Sequence, residues 1–282
     1  MERFYEYEGI SRQAYFQAMA REREEREMMV QIERQVRSYR QYKDRRAGSR
    51  SLYFNLDIKS EWGIGVTKFE RLMSEYSLVL APCKIRIVTT NACLRSKNYE
   101  DLTKGRTIDG INQLVVGDIT YIQFPTETYY LFLLTDVYSA RIVGYEFSNR
   151  MRAIEALAAL DRWRQLRGAD NLRGCIEHTD GGSQYFSKPY MKELKRHGIV
   201  VSVAENCIDN GYAEQRNGLF KHHFIPTMAD ILPHRLKKKI EEKLYFYNFQ
   251  RKQEGLDWLS PVEFERKWAN DLNAPRKTLY GV

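Results

Sequence analysis

Between Ser11 and about Asp44 the chain has neither Gly nor Pro, and Met28, Met29, Ile32, Val36 and Tyr39 recur at the spacing of one helical face. The pattern predicts one long amphipathic helix or a close pair. A second helical signal starts at Thr67, where Thr67-Lys68-Phe69-Glu70 reads as a capping box and Phe69, Leu72, Met73 and Tyr76 follow on one side. With Gly63 and Gly65 just upstream, this region is expected to resemble a helix-turn-helix. Residues 81–110 are polar, basic and poorly periodic, as in a linker.

At Leu114 the period changes. Leu114–Ile122, Tyr129–Val137 and Arg141–Phe147 are short runs rich in Val, Ile, Leu, Thr and Tyr, broken at Pro125-Thr126 and Ser139-Ala140. They predict a three-strand antiparallel meander. Next comes a helix over Met151–Leu166, with Ile154, Leu157, Ala158, Leu160 and Trp163 on its apolar side and Gly168 closing it. A strand ending in Cys175-Ile176-Glu177-His178-Thr179-Asp180, a helix over Lys188–His197, a strand over Ile199–Ala204 and helices from Tyr212 and from His234 complete the order. This mixed α/β order is that of the ribonuclease-H-like fold.

Charge narrows the partner class. The 282 residues carry a formal net charge of +8 with 43% hydrophobic residues, so a packed core and a polyanionic partner are both expected. No stretch approaches the roughly 18 to 20 apolar residues of a spanning helix, and Met1–Ile10 is unlike a signal peptide, so a soluble intracellular chain without membrane contact is expected. Between Arg34 and Arg50 the basic residues Arg34, Arg37, Arg40, Lys43, Arg45, Arg46 and Arg50 meet only Asp44, with Tyr39 and Tyr42 interleaved. Such a run is either a solvated face or a track along phosphates. Cys83, Cys93, Cys175 and Cys207 form no CxxC pair, and all five histidines lie beyond residue 177, so a metal here is expected to have oxygen ligands.

Three carboxylates stand where this fold brings residues together: Asp118 within the first strand, Asp180 at the end of the fourth, and Glu214 early in the helix after the fifth. Singly, Asp118 could cap a bulge, Asp180 could start the Gly181-Gly182 turn, and Glu214 could be a surface residue. Jointly, three convergent carboxylates supply the oxygen ligands that a pair of divalent ions needs.

The surrounding blocks carry a resemblance. Val116-Gly117-Asp118-Ile119-Thr120-Tyr121-Ile122, His178-Thr179-Asp180-Gly181-Gly182-Ser183-Gln184-Tyr185 and Asn206-Cys207-Ile208-Asp209-Asn210-Gly211-Tyr212-Ala213-Glu214 closely resemble the three blocks of retroviral-integrase-type DDE transposases. The likeness is greatest to the second-frame protein of bacterial insertion sequences that encode their transposase in two overlapping frames. It continues through Asn217 and Lys221 and resumes at Tyr247-Asn248 and Ser260-Pro261-Val262-Glu263-Phe264. Two departures stand out. The interval between Asp180 and Glu214 is shorter than the family's usual one, and Gln250–Asp257 lacks the Arg-Pro-His run usual after Tyr-Asn.

The resemblance implies that Asp118, Asp180 and Glu214 bind two Mg2+ ions, with Mn2+ able to substitute, and that the protein cleaves insertion-element ends and joins their 3′-hydroxyls to DNA. It implies a helical DNA-binding region over 1–80, a basic linker over 81–110, a ribonuclease-H-like catalytic core with C-terminal helices over 111–270, and a tail over 271–282. Partners implied are double-stranded element ends and target DNA, a homo-oligomer on paired ends and an upstream-frame DNA-binding protein, in the bacterial cytoplasm at the nucleoid. Glu214, Asn217 and Lys221 at i, i+3 and i+7 are expected on one helical face, with Asn217 and Lys221 reaching DNA. Ser183, Gln184, Tyr185, Asn206 and Asn210 are further DNA-contact candidates beside the acids, as are Arg37, Arg40, Lys43, Arg45 and Arg46 in the basic run. Asp136 and Glu146 are expected to be structural, and His178 to orient the strand end or a phosphate. The alternative is a DNA-end-binding regulator or inactive transposase relative without chemistry.

Overall fold

The computed structural model describes residues 7, 9–81, 99–124, 127–204, 211–225, 231, 233–269, 275 and 277–278, with backbone alone at 211, 213, 214, 216, 233, 277 and 278. The chain divides into two compact units, Met1–Pro82 and Cys83–Val282.

In the first unit, helix α1 (Arg12–Tyr42) is a single 31-residue helix, not a pair; the Ser11 side chain caps it by accepting from the Ala14 amide at 3.1 Å. Its buried stripe is Met29, Ile32, Val36 and Tyr39, the predicted face less its first member. Three short helices follow: α2 (Ser49–Asn55), α3 (Ile58–Trp62) and α4 (Val66–Glu75). Leu52, Tyr53, Ile58, Phe69, Leu72 and Met73 are also buried, and the Tyr53 and Phe69 ring centroids lie 5.7 Å apart. The capping box expected at Thr67 is not formed. Gly65 is the N-cap, Thr67 already lies inside the helix, and Glu70 instead accepts from the Arg50 guanidinium at 3.1 and 3.3 Å.

The second unit is built on a five-stranded sheet of β2 (Leu114–Gln123), β3 (Thr128–Asp136), β4 (Ile142–Ser148), β5 (Ile176–Thr179) and β6 (Val200–Val203), in the spatial order β4-β3-β2-β5-β6. β2, β3 and β4 are antiparallel, and β5 and β6 run parallel to β2, giving the expected ribonuclease-H-like α/β arrangement. Pleating sends alternate residues of β2 to opposite faces. Val115 joins a core with Trp163 of α5 (Ala153–Arg167) and Tyr190 and Leu194 of α6 (Lys188–His197). Leu114 and Val116 join one with Tyr138 and with Phe264 of α9 (Pro261–Trp268), against which Tyr212 of α7 (Gly211–Leu219) also packs. Helix α8 (Pro233–Phe249) lies between α7 and α9 in sequence, and its Asn248 side chain brackets Ile142 of β4 by accepting from its amide at 3.0 Å and donating to its carbonyl at 2.9 Å.

The face of α5 differs from the predicted one. Ala156, Ala159, Leu160 and Trp163 are buried, whereas Ile154 is exposed. Small residues let this helix sit close to the sheet: a Cβ at Gly144 would fall 2.3 Å from the Ala159 carbonyl oxygen.

The stretch read as a linker is also revised. Residues 82–98 lie outside the described ones, but 99–110 belong to the sheet unit. Ile108 is fully buried, the Leu102 amide donates to Ser202 Oγ at 2.9 Å, and β1 (Thr107–Ile108) pairs antiparallel with β7 (Lys277–Thr278), within the segment read as a tail. The expected break at Pro125-Thr126 lies outside the described residues. So do Cys83, Cys93 and Cys207, while Cys175 is a buried free thiol. Among the described residues no helix is long and apolar enough to cross a membrane.

Candidate active site

Asp118 stands in the central strand β2, opposite Leu133 of β3 and on the Leu114–Val116 side of the pleat. Its neighbour Gly117 pairs with Thr179 of the parallel strand β5, and Asp180 follows Thr179 directly. Neighbouring strands run about 4.8 Å apart, so this register sets the backbones of the two acids side by side at the same end of the sheet.

Local chemistry holds each acid. The Ile119 amide donates to Asp118 Oδ1 at 2.8 Å, and Asn217 Nδ2 donates to Oδ2 at 2.6 Å. Asp180 is exposed and accepts from the Gly182 amide at 3.0 Å, across a turn in which Gly181 takes a φ of +79°. Two tyrosines lie in the field of both acids. Burial pushes the Tyr185 phenol well above its ordinary pKa, with the charges of Asp118, Asp180 and Glu177 adding to it. Burial raises Tyr121 too, followed by Tyr130, Asp180 and Asp118.

Glu214 lies in α7, one turn before Asn217, and Asn217 ties that helix to Asp118. Its side chain is outside the described residues. Among the described residues no three His, Cys, Asp or Glu side chains come together as a metal-holding group, so the structure brings together two of the three predicted acids and the helix that carries the third.

Several predicted DNA contacts are placed elsewhere. Tyr185 is a core residue. Its ring covers Gly117, where an added Cβ would meet Leu134, Thr179 and Tyr185 atoms at 3.0, 3.1 and 3.6 Å. Gln184 donates to the Met151 carbonyl at 3.2 Å, and Ser183 alone of the three is exposed. Asn217 is buried against Asp118, whereas Lys221 is exposed in a π-helical turn, Phe220–Phe224. Asn217 and Lys221, four positions apart, thus have different surroundings, and the Glu214 side chain expected to share their face lies outside the described residues. Asn206 and Asn210 lie outside the described residues.

In the first unit the Arg40 guanidinium is spent on backbone carbonyls, Leu78 at 2.7 Å and Ala47 at 3.0 and 3.2 Å. Arg46 reaches the Ala81 carbonyl at 3.0 Å, and Tyr39 is buried. Arg37, Lys43 and Arg45 remain exposed, with Arg37 paired to Glu33 one turn away.

The remaining acids of the sheet have structural partners. Glu146 pairs with Arg162 and Lys237, each at 3.0 Å, and Asp136 is fully buried and accepts from the Asn112 and Ser139 amides. His178 is buried and hydrogen-bonded through Nδ1 to Ser202 Oγ on β6 at 2.9 Å, which orients the end of β5.

Sequence reading missed Glu177, whose signal was its place in an apolar strand beside His178. It lies on the face opposite Asp118 and accepts from the Tyr190 hydroxyl. Burial pushes its carboxyl up to about 7, against the opposing pull of the Tyr190 hydrogen bond. The folded pKa exceeds the unfolded one, so the native state holds a proton that the unfolded chain releases. Stability is therefore expected to fall as pH rises from the unfolded carboxylate value through about 7, by about 3 kcal/mol in all. Glu177→Gln, which still accepts from Tyr190, is expected to flatten this slope in urea unfolding at stepped pH. An unchanged slope would refute the buried neutral acid.

Residues 109–206 match the integrase core domain family. The chain is 34% identical over 163 residues to the transposase for insertion sequence element IS904 of Lactococcus lactis, covering 55% of this chain and 62% of that protein. It is 33% identical over 168 residues to transposase InsF for insertion sequence IS3A of Escherichia coli, covering 56% of this chain and 55% of that protein. The chain thus spans about 55% to 62% of the length of these relatives. Among solved structures, the simian T-cell lymphotropic virus intasome in complex with PP2A regulatory subunit B56 gamma aligns with a TM-score of 0.52 at 16% identity, over 84% of this chain and 76% of that one, a likeness of fold alone. Residues 109–206 thus resemble an integrase core domain, and over a little more than half its length the chain is similar to transposases of bacterial insertion sequences.

Proposed function

We propose that the protein is a transposase that cleaves the DNA ends of an insertion element and joins their 3′-hydroxyls to DNA by phosphoryl transfer. The observation that carries this reading is the register Gly117↔Thr179, which sets Asp118 beside Asp180, together with the Asn217–Asp118 bond that brings the Glu214 helix to them. The donor set fits hard divalent ions: carboxylate oxygens on adjacent strand ends, with the buried imidazole of His178 turned to Ser202. Asp118, Asp180 and Glu214 would hold two magnesium ions, with manganese able to substitute. Such ions, when bound, neutralise charge developing on the attacking and leaving oxygens of a phosphodiester. The chain's own part is placement. The Ile119 amide and Asn217 fix the carboxylate of Asp118, the Gly181-Gly182 turn presents Asp180 to solvent, and Ser183 and Lys221 lie exposed for phosphate contact.

The reading extends to partners: duplex element ends, target DNA, a homo-oligomer on paired ends and a protein from an upstream frame. A strand-transfer assay with labelled element ends and magnesium tests it. Joined products are expected. Binding without products would indicate an end-binding regulator, and cutting without joining a nuclease.

The first unit, with α3 and α4 as its helix-turn-helix, is assigned the grip on the element end. Arg37, Lys43 and Arg45 are exposed within its basic run, as are Arg34 and Arg50, whereas Arg40 is removed from the track by its carbonyl bonds. Replacing Arg37, Lys43 and Arg45 by Ala is expected to weaken end binding and flatten the logarithmic salt dependence by roughly two to three, since each neutralised phosphate contributes about 0.9. Fluorescence anisotropy across a salt series checks this. An unchanged slope would move DNA recognition to α4 or to the sheet unit.

A further inference from the structure

We propose that Asn217 is a positioning residue for the acidic site, setting both the orientation of the Asp118 carboxylate and the seating of the helix that carries Glu214. The proposal rests on the transposase reading for its purpose, but its geometry stands independently. Asn217 was expected to reach DNA. Instead it is 5% exposed, and its Nδ2 lies 2.6 Å from Asp118 Oδ2.

Three features make this bond more than packing. It is a short charge-assisted hydrogen bond from a buried side chain to a half-buried carboxylate. It completes a bracket: Oδ1 of Asp118 accepts from the Ile119 amide at 2.8 Å and Oδ2 accepts from Asn217, so N–H donors from strand and helix fix the plane of one carboxylate. It also spans two elements 99 positions apart in the chain, so it fixes the rotation and height of α7 over β2 at a point one helical turn from Glu214. Before cations bind, carboxylates placed together repel one another. An uncharged donor at this position offsets part of that repulsion and adds no cation to compete with the ions. Partners that orient a metal's ligands in this way affect metal affinity or activity by about 10- to 100-fold when removed.

The test uses the full chain and the manganese ion as probe. Asn217→Leu keeps the branched shape but replaces the amide's donor and acceptor with methyl groups, and Asn217→Ala removes the branch altogether. Mn2+ binding is followed by electron paramagnetic resonance with Asp118→Asn as the reference for loss of the site, element-end binding is measured in chelator, and thermal unfolding is recorded for each variant. Both Asn217 variants are expected to weaken Mn2+ binding by about tenfold or more, with end affinity in chelator unchanged and with joining partly restored at high Mn2+. Weaker end binding at unchanged Mn2+ affinity would overturn the proposal in favour of a DNA contact. Lower thermal stability of both variants with Mn2+ affinity intact would reduce Asn217 to packing, and Mn2+ binding indifferent to Asp118→Asn would overturn it as well. If wild type binds Mn2+ through Asp118 yet joins no ends, the transposase reading fails while the positioning role is still decided by the Mn2+ titration.

Discussion

Asp118→Asn, Asp180→Asn and Glu214→Gln are each expected to lower end cleavage and joining by more than about a hundredfold, with end affinity unchanged. An amide keeps the shape of the acid but is a poorer ligand for a hard cation, and a lost ligand costs several kcal/mol of transition-state stabilisation. The structure separates the variants further. Asp118 is bracketed by two N–H donors, so an amide there must turn its own NH2 toward one of them. That conflict leaves a partly buried donor unsatisfied and is expected to cost about 1–3 kcal/mol of folding stability. Asp180 is exposed beyond the end of its strand, and its amide variant is expected to unfold like wild type. Single-turnover joining assays and urea unfolding on the same preparations check both halves. Near-wild-type joining by any one variant would remove that residue from the site.

The strands were legible because β-branched and aromatic runs with alternating burial are a local property, and Asp118 was conspicuous as an acid inside one of them. Its relation to Asp180 emerged once β2 and β5 were read as parallel neighbours. The turn beyond β5 was harder to read. After Gly181 the direction of each side chain depends on what fills the groove above Gly117, so Tyr185 and Gln184, read as DNA contacts, are turned to the core and to the Met151 carbonyl. Asn217 misled in the same way: helical spacing put it on the face of Glu214, and only the packing of α7 on β2 makes that face a buried one. The apolar side of α5 was misjudged because weight was given to Ile154 rather than to Ala156 and Ala159, whose small size permits close approach to Gly144. In the basic run, composition revealed charge but not which guanidinium caps a turn, and Arg40 and Arg46 are spent on carbonyls.

Least legible was a buried ionic network joining the C-terminal helix to the sheet, and it carries the second large effect. Glu265 of α9 is gripped by Arg167 at the end of α5, by Arg141 before β4 and by the Ser139 hydroxyl at 2.7 Å, while Arg167 also stands 3.6 Å from the fully buried Asp136. Partners 98, 124 and 126 positions apart leave no periodic trace. Burial alone would raise the Glu265 pKa, but the hydrogen bond and charge of Arg167, with Arg141, outweigh it and hold the carboxyl below its ordinary range. A depressed folded pKa means stability that is present above the unfolded value and lost as pH falls through the folded one, so wild type is expected to unfold in acid partly through this residue. Glu265→Ala strands two arginines, one with its side chain only 7% exposed, and is expected to cost about 3–5 kcal/mol. Adding Arg167→Met should recover part of that loss, because an apolar side chain fills the site without a charge to solvate; Asp136 still accepts from the Asn112 and Ser139 amides and from the Ser139 hydroxyl. Urea unfolding of the two single variants and the double variant provides the coupling energy. Strict additivity would mean that Arg167 and Glu265 do not depend on each other, and the anchoring of α9 to the sheet would then rest on Phe264 and its apolar neighbours.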